Sequence, residues 1–217
     1  YNEIITNFKD EISKWDIPKD TTLLDVGAGT GNFSIELAKA FPHNNVIHMD
    51  FDENMNKLAK KKSLKENLSN FQTMTSNIED LNLKHNSLSA ITSVHAIYTF
   101  SNPKSVLMNL YNWLDKDGYV FLCDPGRVLD IRDWSVYLAK HLIKSYGIIK
   151  TIEIFWKGRE ISKQNRNIRE MQLKGKYWVH THEEFCNSVT EAGFKIVSSY
   201  KCFRGVSDVV VARKYPV

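Results

Sequence analysis

The stretch LLDVGAGTGNF, residues 23–33, decides how the rest of the chain is read. An apolar run leads into an acid, Asp25, then into glycines at positions 27, 29 and 31, then into a helical pattern. Strand, bare turn and helix in that order leave backbone N–H groups, and no side chains, facing whatever sits at the helix N-terminus. A simple tight turn is the plainer reading of three glycines. Spacing narrows the ligand. The dinucleotide fingerprint is G-x-G-x-x-G, whereas the pattern here is G-x-G-x-G. No Lys-Ser or Lys-Thr follows, so the turn is not a Walker phosphate loop. A carboxylate at Asp25 would repel a pyrophosphate and suits a ligand with an ammonium group and a sulfonium.

Working outward, apolar runs of strand length alternate with helical patterns. Strands are expected at 22–26, 46–50, 71–75, 88–93 and 119–124, and helices at 32–41, 53–62 and from Pro103 to the turn at Asp117-Gly118. Asn102 before Pro103 reads as a helix cap. This alternation argues for a parallel sheet with helices on both faces. Thr181-His182-Glu183-Glu184 has the capping-box pattern of a last helix ending at Ala192-Gly193. Two strands follow, 194–203 and 207–213. A link as short as Arg204-Gly205-Val206 forces them antiparallel. The expected fold class is α/β: a doubly wound, seven-stranded, mostly parallel sheet ending in an antiparallel hairpin.

Residues 126–178 break the rhythm. They read as helix over 129–146, near 149–156 and over 161–173. They carry twelve Lys or Arg against five Asp or Glu, in a chain whose net charge is only +4. A basic helical cap is therefore inserted after strand five of an otherwise slightly acidic body, all within a single domain over 1–217. With 42% hydrophobic residues, 217 residues suffice for one core with an elaboration. No apolar run reaches membrane-spanning length. Three cysteines at scattered positions show neither metal nor redox spacing. The default expectation is a soluble cytoplasmic protein without a metal and without a membrane partner. The chain opens at Tyr1 with no Met, so upstream residues are expected.

The segment Asp25-Val26-Gly27-Ala28-Gly29-Thr30-Gly31 resembles the first motif of class I S-adenosylmethionine (SAM)-dependent methyltransferases. The resemblance covers 21–125 and 180–213 and implies the Rossmann-like methyltransferase fold. It implies SAM as cofactor and S-adenosylhomocysteine as product. Asp50 in HMDFDENM matches the acid that grips the ribose hydroxyls, and Phe51 is placed to lie against adenine. Asp50 equally fits a nicotinamide dinucleotide, and Phe51 equally fits a core aromatic. Asn77-Ile78 matches the position that reads the adenine edge, although the family more often has Asp there. Ser93-Val94-His95 matches the segment beneath the methionine part. The cofactor-binding set is thus Asp25, Gly27, Ala28, Gly29, Gly31, Asp50, Phe51, Asn77, Ile78 and Ser93.

Methyl transfer from a sulfonium has a good leaving group, so positioning and water exclusion carry much of the catalysis. His95 and Tyr98, just after strand four, are the candidate catalytic residues, with Tyr98 also lining the methyl pocket. Packing is the plainer reading of both. Asp124 and Arg127 edge the acceptor site in a sheet of this type, or form a turn. His180 and His182 read as supports for the last helix, and Cys123 as a buried, inert thiol. Trp134 and Tyr137, three apart in the cap, are the first candidates for an acceptor wall, with Arg127 and Tyr98 completing the substrate set. Most cap aromatics read as glue between cap and sheet. Tyr1-Asn2 and the helix up to Trp15 read as part of a cover over SAM.

The expected activity is methylation at O, N or C of a small-molecule acceptor, anionic or aromatic to suit a basic, aromatic-rich cap. The charge admits a nucleic-acid or protein methyltransferase as an alternative, disfavoured because Ser93-Val94-His95-Ala96 stands where base methylases carry an Asx-Pro-Pro-aromatic segment. A non-catalytic SAM-binding partner and a nicotinamide-dependent oxidoreductase are further alternatives.

Overall fold

A computed structural model describes residues 2–215; Tyr1 lies outside the described residues. The elements are α1 (Asn2–Ile12), β1 (Thr22–Val26), α2 (Asn32–Ala40), β2 (Asn45–Asp50), α3 (Glu53–Lys65), β3 (Phe71–Thr75), β4 (Leu88–Val94), α4 (Pro103–Trp113), β5 (Leu114–Pro125), α5 (Ile131–Lys157), α6 (Arg159–Leu173), α7 (His182–Glu191), β6 (Lys195–Cys202) and β7 (Ser207–Arg213). The seven strands form one sheet in the order β3-β2-β1-β4-β5-β7-β6. All neighbours are parallel except β5–β7 and β6–β7. This is the α/β fold read from the sequence.

Side-chain alternation divides the core in two. Leu23, Val46, Ala90, Phe121 and Val211 face α1 and α2, whereas Leu24, Met49, Ile91, Leu122 and Val210 face α4 and α7. Both faces of the central strands are therefore apolar, as a covered parallel sheet requires. The expected caps form. Asn102 accepts from the Ser105 N–H, and Thr181 and Glu184 bond reciprocally across the first turn of α7.

Two expectations change. The N-terminal helix is a core layer, not a cover. Ile4, Phe8 and Ile12 of α1 are buried, and Phe8 meets Phe33 and Phe121 edge-on at 5.2 and 5.0 Å. Trp15 stacks on Tyr119 at 5.1 Å. The cap, in turn, is held down by only some of its aromatics: Trp134 stacks on Phe203 and Tyr177 meets Tyr98 edge-on, while Tyr146 and Trp156 stay exposed. Helices α5 and α6 pack on each other, and only Leu142, Thr151 and Gln172 of them are buried. Gln172 ties the end of α6 to the body, donating to the Arg127 carbonyl at 3.0 Å and accepting from the Leu129 N–H at 2.9 Å. No helix among the described residues is long and apolar enough to cross a membrane.

Candidate functional site

Strand order reverses between β1 and β4, and there the carboxyl ends of the strands open a crevice. The glycine turn lies at that point. Gly27 has φ 61°, and a Cβ there would sit 2.3 Å from the Ala96 Cβ, so contact with the loop after β4 forbids a side chain. Gly29 differs. Its φ is 54°, yet nothing lies within 4 Å of where its Cβ would be. The bare backbone there faces open space, as a surface meant for a ligand does.

The turn is anchored from β2. Gly29 N–H donates to Asp50 Oδ2 at 2.8 Å, Ala28 N–H donates to the Met49 carbonyl at 3.0 Å, and Asp50 Oδ1 accepts from the Asp52 N–H at 2.9 Å. Asp50 thus holds the turn with one oxygen and the start of α3 with the other. Each carboxylate oxygen keeps a further lone pair.

Gly27 separates two parts of one cleft. One part, about 150 Å³, is lined by Asp25, Gly27 to Thr30, Asn32, Phe33, Val94 and His95. The other, about 300 Å³, is lined by Gly27, Met49, Phe51, Ser76 to Glu79, Thr99 and Phe100. Phe51 is 78% exposed, which removes the core-aromatic reading. An apolar ring held in water beside Asn77 and Ile78 is a stacking surface for a flat group. Asn77 caps a short 3₁₀ turn, accepting from the Glu79 N–H at 3.2 Å and donating to Asp80 at 3.1 Å. Ile78 is buried beneath it.

Asp25 is almost fully buried at the floor. Its carboxylate accepts from Ser34 Oγ at 2.5 Å and Thr92 Oγ1 at 2.7 Å. Burial pushes its pKa up to about 6, against the pull of those two hydrogen bonds. Ser34 has one proton and gives it to Asp25. His48 Nδ1, 2.8 Å from the same hydroxyl, is then the donor, and burial holds this imidazole neutral with a pKa lowered to about 4. Asp25 therefore braces β1, α2 and β4 as well as lining the cleft. Ser93 is corrected from contact to support: it is buried, and its hydroxyl donates to the Val26 carbonyl at 3.1 Å, under the turn.

His95 stands at the mouth with φ 56°, a strained value for a residue bearing a side chain. Its N–H donates to the Cys123 carbonyl at 2.7 Å, and Nε2 lies 2.8 Å from Ser207 Oγ. Burial lowers its pKa to about 4, so the ring is neutral at pH 7. Tyr98 is buried in the turn after β4 and packs edge-on against Tyr177 at 5.3 Å. Asp124, at the end of β5, is buried behind this turn. Burial pushes its pKa well above the carboxylate range, opposed by the backbone amides of Tyr98, Ala96 and Ile97.

The substrate candidates divide. Arg127 turns to an ion pair with buried Asp208, which also meets His182 Nδ1 at 2.9 Å. That pairing holds its guanidinium beside α7, in a second pocket with His180 and Lys201. Trp134 and Tyr137 share a helix face as their spacing implies, but they clasp the β6–β7 turn. Trp134 stacks on Phe203 at 4.5 Å, and the Arg204 guanidinium lies 4.9 and 4.1 Å from the Trp134 and Tyr137 rings. Phe203 in turn lies 5.7 Å from His95. The cap thus reaches the cleft through Phe203. Sequence reading missed Phe203, Phe100 and Ser207; the aromatic residue opening a very short hairpin link was the available signal for the first.

Residues 24–122, which run from within β1 into β5 and include the glycine turn, match the methyltransferase domain family. Over that stretch the chain is similar to methyltransferase domains. Over 94% of its length and 79% of the relative's, this chain is 29% identical to a ubiquinone/menaquinone biosynthesis C-methyltransferase of Rickettsia felis. It is 29% identical to a demethylmenaquinone methyltransferase of Listeria monocytogenes over 51% of this chain, a match spanning 47% of that protein. A SAM-dependent methyltransferase from Aquifex aeolicus shares the fold, with TM-score 0.64 and 18% identity over 97% of this chain and 89% of its own. The family match ends at residue 122, before the cap, whereas the similarity to the Rickettsia felis relative spans nearly the whole chain.

Proposed function

We propose that the protein transfers the methyl group of SAM to a small-molecule acceptor, and that a carbon of an electron-rich aromatic ring is the acceptor atom. The observation that carries the cofactor assignment is the open space over Gly29, flanked by Asp50 and by the exposed ring of Phe51. One relative named as a C-methyltransferase of ubiquinone/menaquinone biosynthesis and one named as a demethylmenaquinone methyltransferase support the acceptor class.

The residues fit SAM by their chemistry. Asp50 would accept from the ribose hydroxyls, Phe51 would stack on adenine, and Asn77 with Ile78 would border its edge. Gly27, Ala28, Gly29 and Gly31 would present backbone to the methionine part, above Asp25. When bound, the sulfonium supplies an electrophilic methyl group. The chain's own residues orient the acceptor against it and exclude water. Val94, His95 and Phe33 wall that side of the cleft. A neutral His95, set by Ser207, can hold or take the proton that leaves an acceptor hydroxyl or ring carbon.

Isothermal titration calorimetry with S-adenosylhomocysteine tests the cofactor, with NAD as control. Micromolar binding of the first alone, lost in Asp50→Ala, is expected; binding of NAD and not of S-adenosylhomocysteine would overturn the assignment. Incubation with methyl-labelled SAM and a demethylated quinol then tests the acceptor, label in the ring carbon being the expected result.

A further inference from the structure

The far part of the cap has a face that the body leaves uncovered. The backbone of α5 breaks at Gly147, with φ 78° and ψ 172°, and the helix beyond it is a separate amphipathic segment. Ile148, Ile149, Ile152 and Trp156 lie at i, i+1, i+4 and i+8, which is one stripe of a helix, and are 64–87% exposed. Ile161, after the turn into α6, is exposed as well. The other side of the segment packs inward through Thr151, Ile154 and Phe155. Four large apolar side chains in water along one helix stripe make an exposed face of the kind that marks an interaction surface.

Charge indicates what covers it. The arm carries Lys150, Lys157, Arg159 and Lys163, with Arg166 and Arg169 further along α6, against Glu153 and Glu160. Glu153 offsets part of this through Lys150 and Lys157, each at 2.7 Å. The cap as a whole still holds twelve basic against five acidic residues. The Arg159 guanidinium lies 5.0 Å from the Trp156 ring, so an interfacial aromatic and a cation stand together on the arm. A second copy meeting the arm about a two-fold axis would set one basic arm against another. Nucleic acid would use the cations but has no use for an isoleucine stripe. An apolar stripe with a Trp, on an arm rich in Lys and Arg, matches an anionic bilayer surface.

We infer that the α5–α6 arm docks the protein on anionic lipid membranes, with Ile148, Ile149, Ile152 and Trp156 entering the interface and the basic residues of the arm meeting lipid headgroups. The inference does not depend on the acceptor assigned above.

The test is co-sedimentation of the full chain with vesicles of phosphatidylcholine alone and of phosphatidylcholine with phosphatidylglycerol. Partitioning onto the anionic vesicles is expected to be at least tenfold stronger, and to weaken as salt is raised. The double variant Ile149→Ser/Trp156→Ala should lose at least tenfold of it, and so should Lys163→Glu/Arg166→Glu, which spares the apolar stripe. Affinity for S-adenosylhomocysteine, which none of these residues touches, should be unchanged and reports an intact fold. Equal binding to both vesicle types, or binding unchanged in both variants, overturns the inference. So does a wild-type dimer that ignores vesicles and becomes monomeric in the apolar variant, since the stripe would then be a contact between copies.

Discussion

Gly29 donates its backbone N–H to Asp50 at 2.8 Å, across 21 residues of sequence. One carboxylate thereby both fixes the bare turn and stands ready for a ligand hydroxyl. Asp50→Asn keeps the shape but weakens both roles, because a hydrogen bond to a charged group is worth about 1.5–3 kcal/mol. Affinity for S-adenosylhomocysteine should fall roughly ten- to hundredfold. Calorimetry of the variant, alongside its thermal midpoint, checks this; unaltered affinity would remove Asp50 from the site.

Phe51 is 78% exposed, so its truncation has little folding cost. Phe51→Ala should leave the thermal midpoint within a degree or two. A lost aromatic stack of about 1 kcal/mol should weaken cofactor binding several-fold. A large loss of stability with normal binding would return Phe51 to a packing role.

Burial pushes the Asp124 carboxyl well above the usual range, so folding favours the neutral acid behind Ala96 to Tyr98. Asn mimics that neutral form. Asp124→Asn should fold and bind S-adenosylhomocysteine nearly as the parent does. Asp124→Ala opens a buried gap under the turn that carries His95 and should cost roughly 1–3 kcal/mol by urea denaturation. Equal behaviour of the two variants would show that the turn does not lean on this side chain.

The pKa of His95 is lowered to about 4 by burial. The folded state therefore prefers the neutral ring, while the unfolded chain takes up a proton near 6.5. Its contribution to stability is complete above pH 6.5 and is lost as pH falls from there toward 4, at roughly 1.4 kcal/mol per unit. Asp25 has the opposite sign: its pKa of about 6 makes folding favour the protonated acid, so its contribution declines as pH rises toward 6. His95→Gln should flatten the fall in stability between pH 6.5 and 4, and Asp25→Asn should steepen it. Urea melts at half-unit steps read both slopes. If His95 is also the catalytic base, the acid limb of kcat/KM lies near 4 and not near 6.5.

Much of the fold was legible because its signals are local. Residues 22–33 hold a strand, a turn and a helix start within a dozen positions, and Asn102-Pro103 and Thr181 to Glu184 state their caps within one turn. Alternation of strand and helix gave the class, and the charge change at 126 marked the insertion. The glycine turn and Asp50 were found for the same reason, as both sit at strand ends set by apolar periodicity. Side-chain partners were not legible. Arg127 was read as an acceptor contact, but its partner Asp208 lies 81 residues away, and Ser207 meets His95 across 112. Both pairings exist because β7 inserts beside β5, bringing the start of one strand against the end of the other. Whether Phe51 faced core or water, whether the first helix covered the cleft or the sheet, and whether the cap's aromatics were buried all turned on the same thing. Periodicity ranks residues by which face of their own element they occupy. Only the packing of elements decides which of those faces another element covers.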